Sequence, residues 1–531
     1  MKPPPDPLAR SAGLAGAATL TSRILGLARD QVLAALFGAG NDMDAFLVAF
    51  RIPNLARDLF AEGAMSAAFV PTFSRHLSLG GKLDAWRLGN STLNAVLLLT
   101  ATVAGLGFIF ADPLVRAYAG DYAVVPGKLE LTIQLTRVML PFLTLVAVAA
   151  VLMGMLNALN YYFLPALAPA MFNVATIGCA LALVPGMVSA GLPPIAAVAI
   201  GALAGGVGQV ALQCPPLWRE GFRYRPLLDW RDHGLQRVLL LMGPGTIGLA
   251  ATQVNLFVNT LLATSEGTGA VSWLTYAFRV MYLPIGLFGV SIATAVLPAA
   301  ARHAAIGDAA GVRDTASRGL ALMLTVNIPA TFGLIALATP IVRLLFERGQ
   351  FLPADTASTA AALQCYAVGL VGYSATRIAS PIFYALGQSR VPVAVSAASM
   401  AINVLAAVLL ARAAGFRGLA LATSLAALAN GSLLLVLLRK RLNGLDGRRL
   451  ALATVKLVTA SLVMAFVAAD VERWLAAAAP GSHVMMQTLR VATAIGAGMA
   501  TLAGAAKLLG IAEFDAALAI VRKWPRKVRG R

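Results

Sequence analysis

Acidic residues are scarce in this chain. Its 531 residues carry 23 Asp and Glu against 42 Lys and Arg, and all charged residues together make up 12%. A soluble domain runs nearer a quarter charged, so water is excluded as the main solvent. Cysteine is scarcer still. Cys179, Cys214 and Cys365 sit in or beside apolar runs with no paired spacing, which excludes a disulfide framework and a CxxC metal site. Four scattered histidines form no HExxH or triad pattern. Neither a metal nor a cofactor is therefore expected. The short alternating segments of a membrane β-barrel are also missing. The start, MKPPPDPLAR, lacks the charged-then-apolar order of a cleavable signal, so the first membrane segment is expected to be retained.

Apolar residues fill the gap. They make up 59% of the chain, and the mean hydropathy is +0.78. Runs such as LNAVLLLTATVAGLGFIFA are nearly free of charge. About 20 apolar residues span the hydrocarbon core as a helix. Fourteen such spans are expected, near 10–37, 43–75, 88–111, 129–157, 162–185, 194–217, 234–263, 268–300, 316–345, 356–386, 391–412, 417–438, 450–470 and 487–510. The second and eighth exceed one straight helix and carry internal Pro and Gly, so they are read as kinked, with ends that leave the membrane.

The net charge of +19 is read as the excess of Lys and Arg in cytoplasmic loops, with no nucleic-acid partner. The termini and even-numbered loops, among them WREGFRYRPLLDWRDHGLQR and RKRLNGLDGRR, hold about 25 Lys and Arg, against roughly seven in the opposite set. Both termini should therefore be cytoplasmic, which requires an even number of spans.

The chain also repeats itself. Ala49-Phe50-Arg51 recurs as Ala277-Phe278-Arg279, Arg75-His76 as Arg302-His303, Ala158-Leu159 as Ala385-Leu386, and Asn173-Val174 as Asn403-Val404. The offset stays at 227–230 residues. Six spans separate equivalent positions, so the halves cross the membrane in the same sense, as in transporters that alternate access around a central site. The expected fold is an all-α polytopic membrane protein: two parallel-repeat six-helix lobes plus two C-terminal helices. The expected boundaries are 1–217 for the first lobe, 218–233 for a cytoplasmic linker, 234–440 for the second lobe and 441–531 for the last two helices and a basic tail.

Several charges stand where lipid should be. The first span holds Arg23, Arg29 and Asp30; the second holds Asp44, Arg51, Arg57, Asp58 and Glu62; the eighth holds Arg279. A charged side chain at the bilayer centre costs about 2.5–3.5 kcal/mol on insertion scales, so it faces a cavity or a partner. Asp44, Arg51 and Asp58 are seven apart and share a helical face, so they could neutralise one another. The five arginines exceed what such pairing needs. Their planar forks suit phosphate oxygens, and a shared positive cavity would take an anionic substrate. The spans of the second lobe hold no interior Asp or Glu, which argues against a carboxylate cation site there. FERGQF (346–351) reads as a turn before a new helix.

These residues resemble the MurJ (MviN) family of flippases for the peptidoglycan precursor lipid II. The resemblance is carried by SRILGLARD (22–30), FGAGNDMDAFLVAFRIPNLARDLFAEGAMSAAFVP (37–71), VSWLTYAFRV (271–280), LLFERGQF (344–351) and FYALGQSRVPV (383–393). It implies fourteen helices, a bacterial inner-membrane location, and a hydrophobic groove for the lipid tail on the last two helices. It also implies substrate-binding roles for Arg23, Arg29, Arg57, Arg279 and Asp44, with Arg51, Asp30 and Glu62 as secondary candidates. The implied partners are lipid II and membrane lipids, with cell-wall synthesis proteins as further candidates. One departure is visible: some members carry an acid three positions after the eighth-span arginine, where this chain has Tyr282. The implied activity is translocation without covalent chemistry, so no enzyme. An exporter of another glycolipid or of a drug, a non-transporting membrane scaffold, and a membrane-embedded glycosyltransferase are the alternatives. The last would need acid-rich outward loops that this chain does not have.

Overall fold

A computed structural model describes residues 7–57, 64–479, 481, 483–511 and 513–514. Twenty α-helices and no strands occur among them. By packing, the chain divides into two units: 1–272 with 348–351, and 273–347 with 352–531.

The first unit contains α1 (Pro7–Phe37), α2 (Asn41–Arg57), α3 (Ala64–Leu79), α4 (Gly81–Ile109), α5 (Ala111–Ala119), α6 (Lys128–Met139), α7 (Pro141–Ala158), α8 (Phe163–Ser189), α9 (Ala196–Arg219) and α10 (His233–Thr264). It also takes the first turn of α11 (Ala270–Pro284). The second unit continues through α12 (Val290–Ala305), α13 (Ala309–Ala336), α14 (Ala338–Phe346), α15 (Pro353–Ala367), α16 (Leu370–Ala385), α17 (Arg390–Ala414), α18 (Phe416–Arg441), α19 (Gly447–Ala478) and α20 (Val484–Leu508).

Nine membrane-length helical segments among the described residues are apolar enough to cross a bilayer. The chain is thus a multi-pass membrane protein. The other five expected spans fall on α1, which carries Arg23, Arg29 and Asp30, on α10, and on helices that are interrupted. The second expected span is divided between α2 and α3. The eighth breaks after Pro284 into a π-helical turn, Ile285–Gly289, before α12 resumes. A proline has no N–H for the helical ladder and kinks or breaks a helix, and here the ladder resumes through a π-turn, a rare single-turn interruption. The tenth is interrupted between α15 and α16.

Packing depends on small residues and aromatic stacks. On α9, a Cβ at Gly205 would stand 2.6 Å from the Phe172 Cα on α8, so only glycine permits this approach. A chain of rings, Phe69–Phe73–Trp86–Phe222, joins α3 and α4 to the segment after α9, with centroids 5.3–5.8 Å apart. That segment runs extended along α4. Asn90 and Asn94 donate to the carbonyls of Arg223, Arg225 and Leu227 at 2.9–3.1 Å, and Asn90 Oδ1 accepts from Arg225 N. Two side-chain amides thus do the work of a neighbouring strand for backbone that would otherwise be unpaired. Glu220, at its start, accepts from Lys82 Nζ at 2.9 Å and from the Tyr161 hydroxyl at 2.8 Å, which hold its carboxyl below the usual range. In the second unit, Ile328, Leu457, Met464 and Leu502 pack α13, α19 and α20 together. The outer faces stay apolar, with Phe108, Ile109, Val455 and Phe466 all more than half exposed. Lipid, not water, is the solvent such faces require.

Candidate functional site

The charged residues of the first unit fall into three groups. The first lies in the middle of α1, where Arg29 Nη2 meets Asp30 Oδ1 at 2.9 Å and the guanidinium lies over the Phe172 ring, 5.0 Å from its centroid. Asp30 is buried. Two turns earlier, Arg23 is exposed and makes no hydrogen bond or ion pair with the described residues.

The second group surrounds Asp44, in the first turn of α2, which is 0% exposed. Lys128 Nζ donates to its Oδ2 at 3.0 Å, and Gly269 N donates to the same oxygen at 2.7 Å. Its Oδ1 accepts from Ser272 N at 3.1 Å and from Ser272 Oγ at 2.7 Å. The lysine lies over the Tyr122 ring, 4.0 Å from its centroid. The expectation that Asp44 could neutralise Arg51 is therefore corrected: its cation is Lys128, at the start of α6. Four donors saturate the carboxylate, and a buried ion pair is stable only when satisfied in this way. The sequence reading missed Lys128 because it precedes the apolar run 129–157 and so resembles a loop residue. Its position directly after Pro126-Gly127, as the first residue of a span, was the available signal.

The third group is on the rest of α2. Arg51 is half-buried, and its Nε is enclosed without an acceptor among the described residues. Arg57 closes the described part of α2, and its side chain lies outside the described set, as do Asp58 and Glu62.

In the second unit Arg279 is half-buried on α11. One turn on, the Tyr282 hydroxyl accepts from Arg377 Nη2 of α16. The same guanidinium lies over the Tyr282 ring at 5.8 Å. Where some family members carry an acid, this chain thus uses a phenol to hold a second arginine. Phe278 stacks on Tyr282 and meets Tyr366 and Tyr373 edge-on, so Arg377 stands against one member of an aromatic cluster. Arg377 was also missed by the sequence reading, although it is a lone charge inside an apolar run.

The turn motif FERGQF has a partner too. Gln350 N donates to Ala35 O of α1 at 2.9 Å. Gly349 (φ 58°) and Gly38 (φ 62°) bring the two backbones together, since a Cβ on either would stand 2.2–2.4 Å from a carbonyl oxygen of the other segment. The segment 348–351 therefore packs within the first unit, although its flanks belong to the second.

The profile of the family described as "Lipid II flippase MurJ" matches residues 33–489. A probable lipid II flippase MurJ of Vibrio cholerae is 34% identical over 434 residues, covering 80% of this chain and 82% of the relative. Its counterpart in Bdellovibrio bacteriovorus is 36% identical over 463 residues, covering 86% of each. A solved structure described as "Lipid II flippase MurJ, inward closed conformation" aligns with a TM-score of 0.75 and 25% identity, over 93% of this chain and 99% of that one. An inward-facing multidrug-resistance MATE transporter aligns with a TM-score of 0.66 at 18% identity, over 82% and 99%, which speaks for the fold alone. Both by its sequence along most of its length and by its fold, the chain belongs to the lipid II flippase MurJ family.

Proposed function

We propose that this protein is a lipid II flippase, carrying the diphosphate-linked headgroup from the cytoplasmic to the outer leaflet of a bacterial inner membrane by alternating access. Family membership supports the substrate. The observation that carries the mechanism is the enclosed Arg51 Nε, a buried donor with no acceptor among the described residues. An unmet buried donor on a cation costs more than an ordinary lost hydrogen bond, and an oxyanion would meet it. Arg23, Arg29, Arg57 and Arg279, with Arg51 and Arg377, are the proposed ligands for the diphosphate and sugar-peptide headgroup. Asp30 and Glu62 stay secondary candidates. Asp44 is assigned to holding the fold, because its lone pairs are already occupied.

The charge bias supports cytoplasmic termini and fourteen spans. The 227–230 residue offset supports lobes at 1–217 and 234–440, a linker at 218–233 and a lipid-tail groove in 441–531. Membrane lipids are the remaining partners in this reading, with cell-wall synthesis proteins as candidates.

The test is depletion of the protein in its host, with lipid II accessibility at the outer face as readout. Wild type should restore accessibility, while Arg51→Ala and Arg279→Ala, at equal protein levels, should lower it at least tenfold, the scale of one lost charge-assisted contact. Unchanged accessibility on depletion, in a host with no second flippase, would sink the assignment to lipid II.

A further inference from the structure

We propose that Tyr282 and the rings around it form a carbohydrate-binding surface in the second unit, which takes an N-acetylhexosamine of the headgroup by its flat face. The inference rests on the flippase reading for its ligand and adds the part of the headgroup that this surface recognises. Two helices build it. On α11, Thr275, Phe278, Arg279 and Tyr282 recur at three- and four-residue spacing, and all four are half-buried. Ala277, Val280 and Met281, on the other side, are at most 1% exposed. The same pattern holds on α16. Tyr373 and Thr376 are half-buried and Arg377 is exposed, whereas Ile378 and Ala379 are buried in the unit.

Contacts across the two helices make one surface of these two sides. Phe278 stacks on Tyr282 with centroids 5.9 Å apart, and Tyr373 of α16 meets the Phe278 ring edge-on at 6.4 Å. Tyr366 meets it from behind at 5.4 Å and is itself buried. Arg377 donates to the Tyr282 hydroxyl and lies 5.8 Å from the centroid of its ring. The ring is therefore held in place before any ligand arrives, yet stays half-buried, so part of it can be touched. The phenol meets a single donor of the Arg377 guanidinium, and no other hydrogen bond holds that group among the described residues. An exposed guanidinium on a membrane helix with donors to spare faces water or a polar ligand, not hydrocarbon.

The chemistry selects the ligand. A pyranose has a flat face of C–H bonds and a rim of hydroxyl and acetamido groups. The face packs on an aromatic ring, and the rim takes hydrogen bonds from donors beside it. A bare phosphate would use the arginines and leave the rings idle; an alkyl chain would use the rings and strand the arginines. A sugar next to a diphosphate uses both, with Arg279, one turn before Tyr282, on the diphosphate side. The surface is a feature of this chain, because Tyr282 stands where some family members carry an acid. Packing of α11 against α16 is the competing role for the same rings, and it predicts a change in stability with no change in ligand preference.

The experiment is native mass spectrometry of the full-length protein in neutral detergent, titrated separately with undecaprenyl diphosphate and with undecaprenyl diphosphate bearing a single N-acetylglucosamine. Wild type should bind the sugar-bearing probe about tenfold more tightly, the scale of a stacked ring with its polar contacts. Tyr282→Leu should bring that ratio to about one while changing the affinity for the bare diphosphate by less than about twofold. Tyr282→Phe keeps the ring and should keep most of the preference. Arg279→Gln should weaken both probes together and leave the ratio as it is. Should Tyr282→Leu not fold, Tyr373→Leu, on the other helix, should still lower the ratio several-fold. A wild-type ratio of about one overturns the proposal. So does an unchanged ratio in a folded leucine variant, whose lost stability would then assign the rings to packing alone. The flippase reading fails separately, on unchanged lipid II accessibility after depletion, a result that leaves the probe ratio untouched.

Discussion

The chain builds the same corner twice and ties it differently each time. In the first half, Asp44 at the start of α2 binds Lys128 at the start of α6. Moving 228 and 227 residues along, the same positions hold Ser272 and Asp355. The acid has changed sides. Asp355 Oδ2 accepts from Leu352 N at 3.1 Å and so caps α15, while its Oδ1 accepts from Trp273 Nε1 at 3.0 Å. One half thus joins two helix starts through a buried ion pair, the other through an indole and a helix cap. The corner requires a polar tie between the two helix starts, but not a particular charge.

Elsewhere the halves agree. His76 Nδ1 lies 2.6 Å from Asp84 Oδ2 where α3 turns into α4, and His303 Nδ1 lies 2.8 Å from Asp308 Oδ2 where α12 turns into α13. The second turn is three residues shorter between the pair, and there Asp308 also caps α13 through Gly311 N at 2.8 Å. The histidine–carboxylate contact outlasts a change in loop length, whereas the tie at the other corner did not keep its chemistry.

The largest way to break this comparison is Lys128→Met. It strands a buried carboxylate, so detergent-solubilised protein should lose about 3–5 kcal/mol of stability. Adding Asp44→Asn should restore more than half of that loss in the same unfolding measurement. If Lys128→Met alone is harmless, the two corners are equivalent and the ion pair is incidental. Next in size is Trp273→Phe, which removes one hydrogen bond to a carboxylate while the helix cap remains. A cost of about 1–2 kcal/mol is expected, smaller than for Lys128. Equal costs would show that the second corner depends on its charge as much as the first.

The smallest effect concerns the shared turn. The Gly311 amide, and then His303, hold the Asp308 carboxyl below its ordinary range. A depressed carboxyl contributes stability above its unfolded value of about 3.9, and that contribution is lost as pH falls through the folded value. The hydrogen-exchange protection factor at the first turn of α13, taken against the intrinsic rate at each pH, should therefore be unchanged between pH 7 and 5 and should fall only below about pH 4. Loss of protection already between pH 7 and 5 would sink the assignment of this effect to the Asp308 carboxyl.

Much of this was legible in the residues. Apolar runs locate most membrane helices, the fixed offset exposes the repeat, and Pro284 marks the break that becomes a π-turn. What could not be read were partners far apart in the chain. Lys128 is 84 residues from Asp44, and nothing in local periodicity links them. Arg377 and Tyr282 are 95 residues apart, and their contact arises only when α11 packs beside α16. FERGQF looks like any turn until Ala35 is placed against it.

That docking bears on how the protein is made. A membrane chain is inserted from its N-terminus, and domains generally form as synthesis proceeds. The first unit cannot close in this order. Asp44 and Lys128 are both present once residue 128 has emerged, but Gly269 and Ser272 supply the remaining donors more than 140 residues later. The final strut, Gln350 against Ala35, arrives after most of α11 and all of α12, α13 and α14 in the second unit have been synthesised in between. The two halves are therefore interleaved in time as well as in sequence, and the N-terminal helices must wait in the bilayer, incompletely satisfied, for the ribosome to deliver their last contacts.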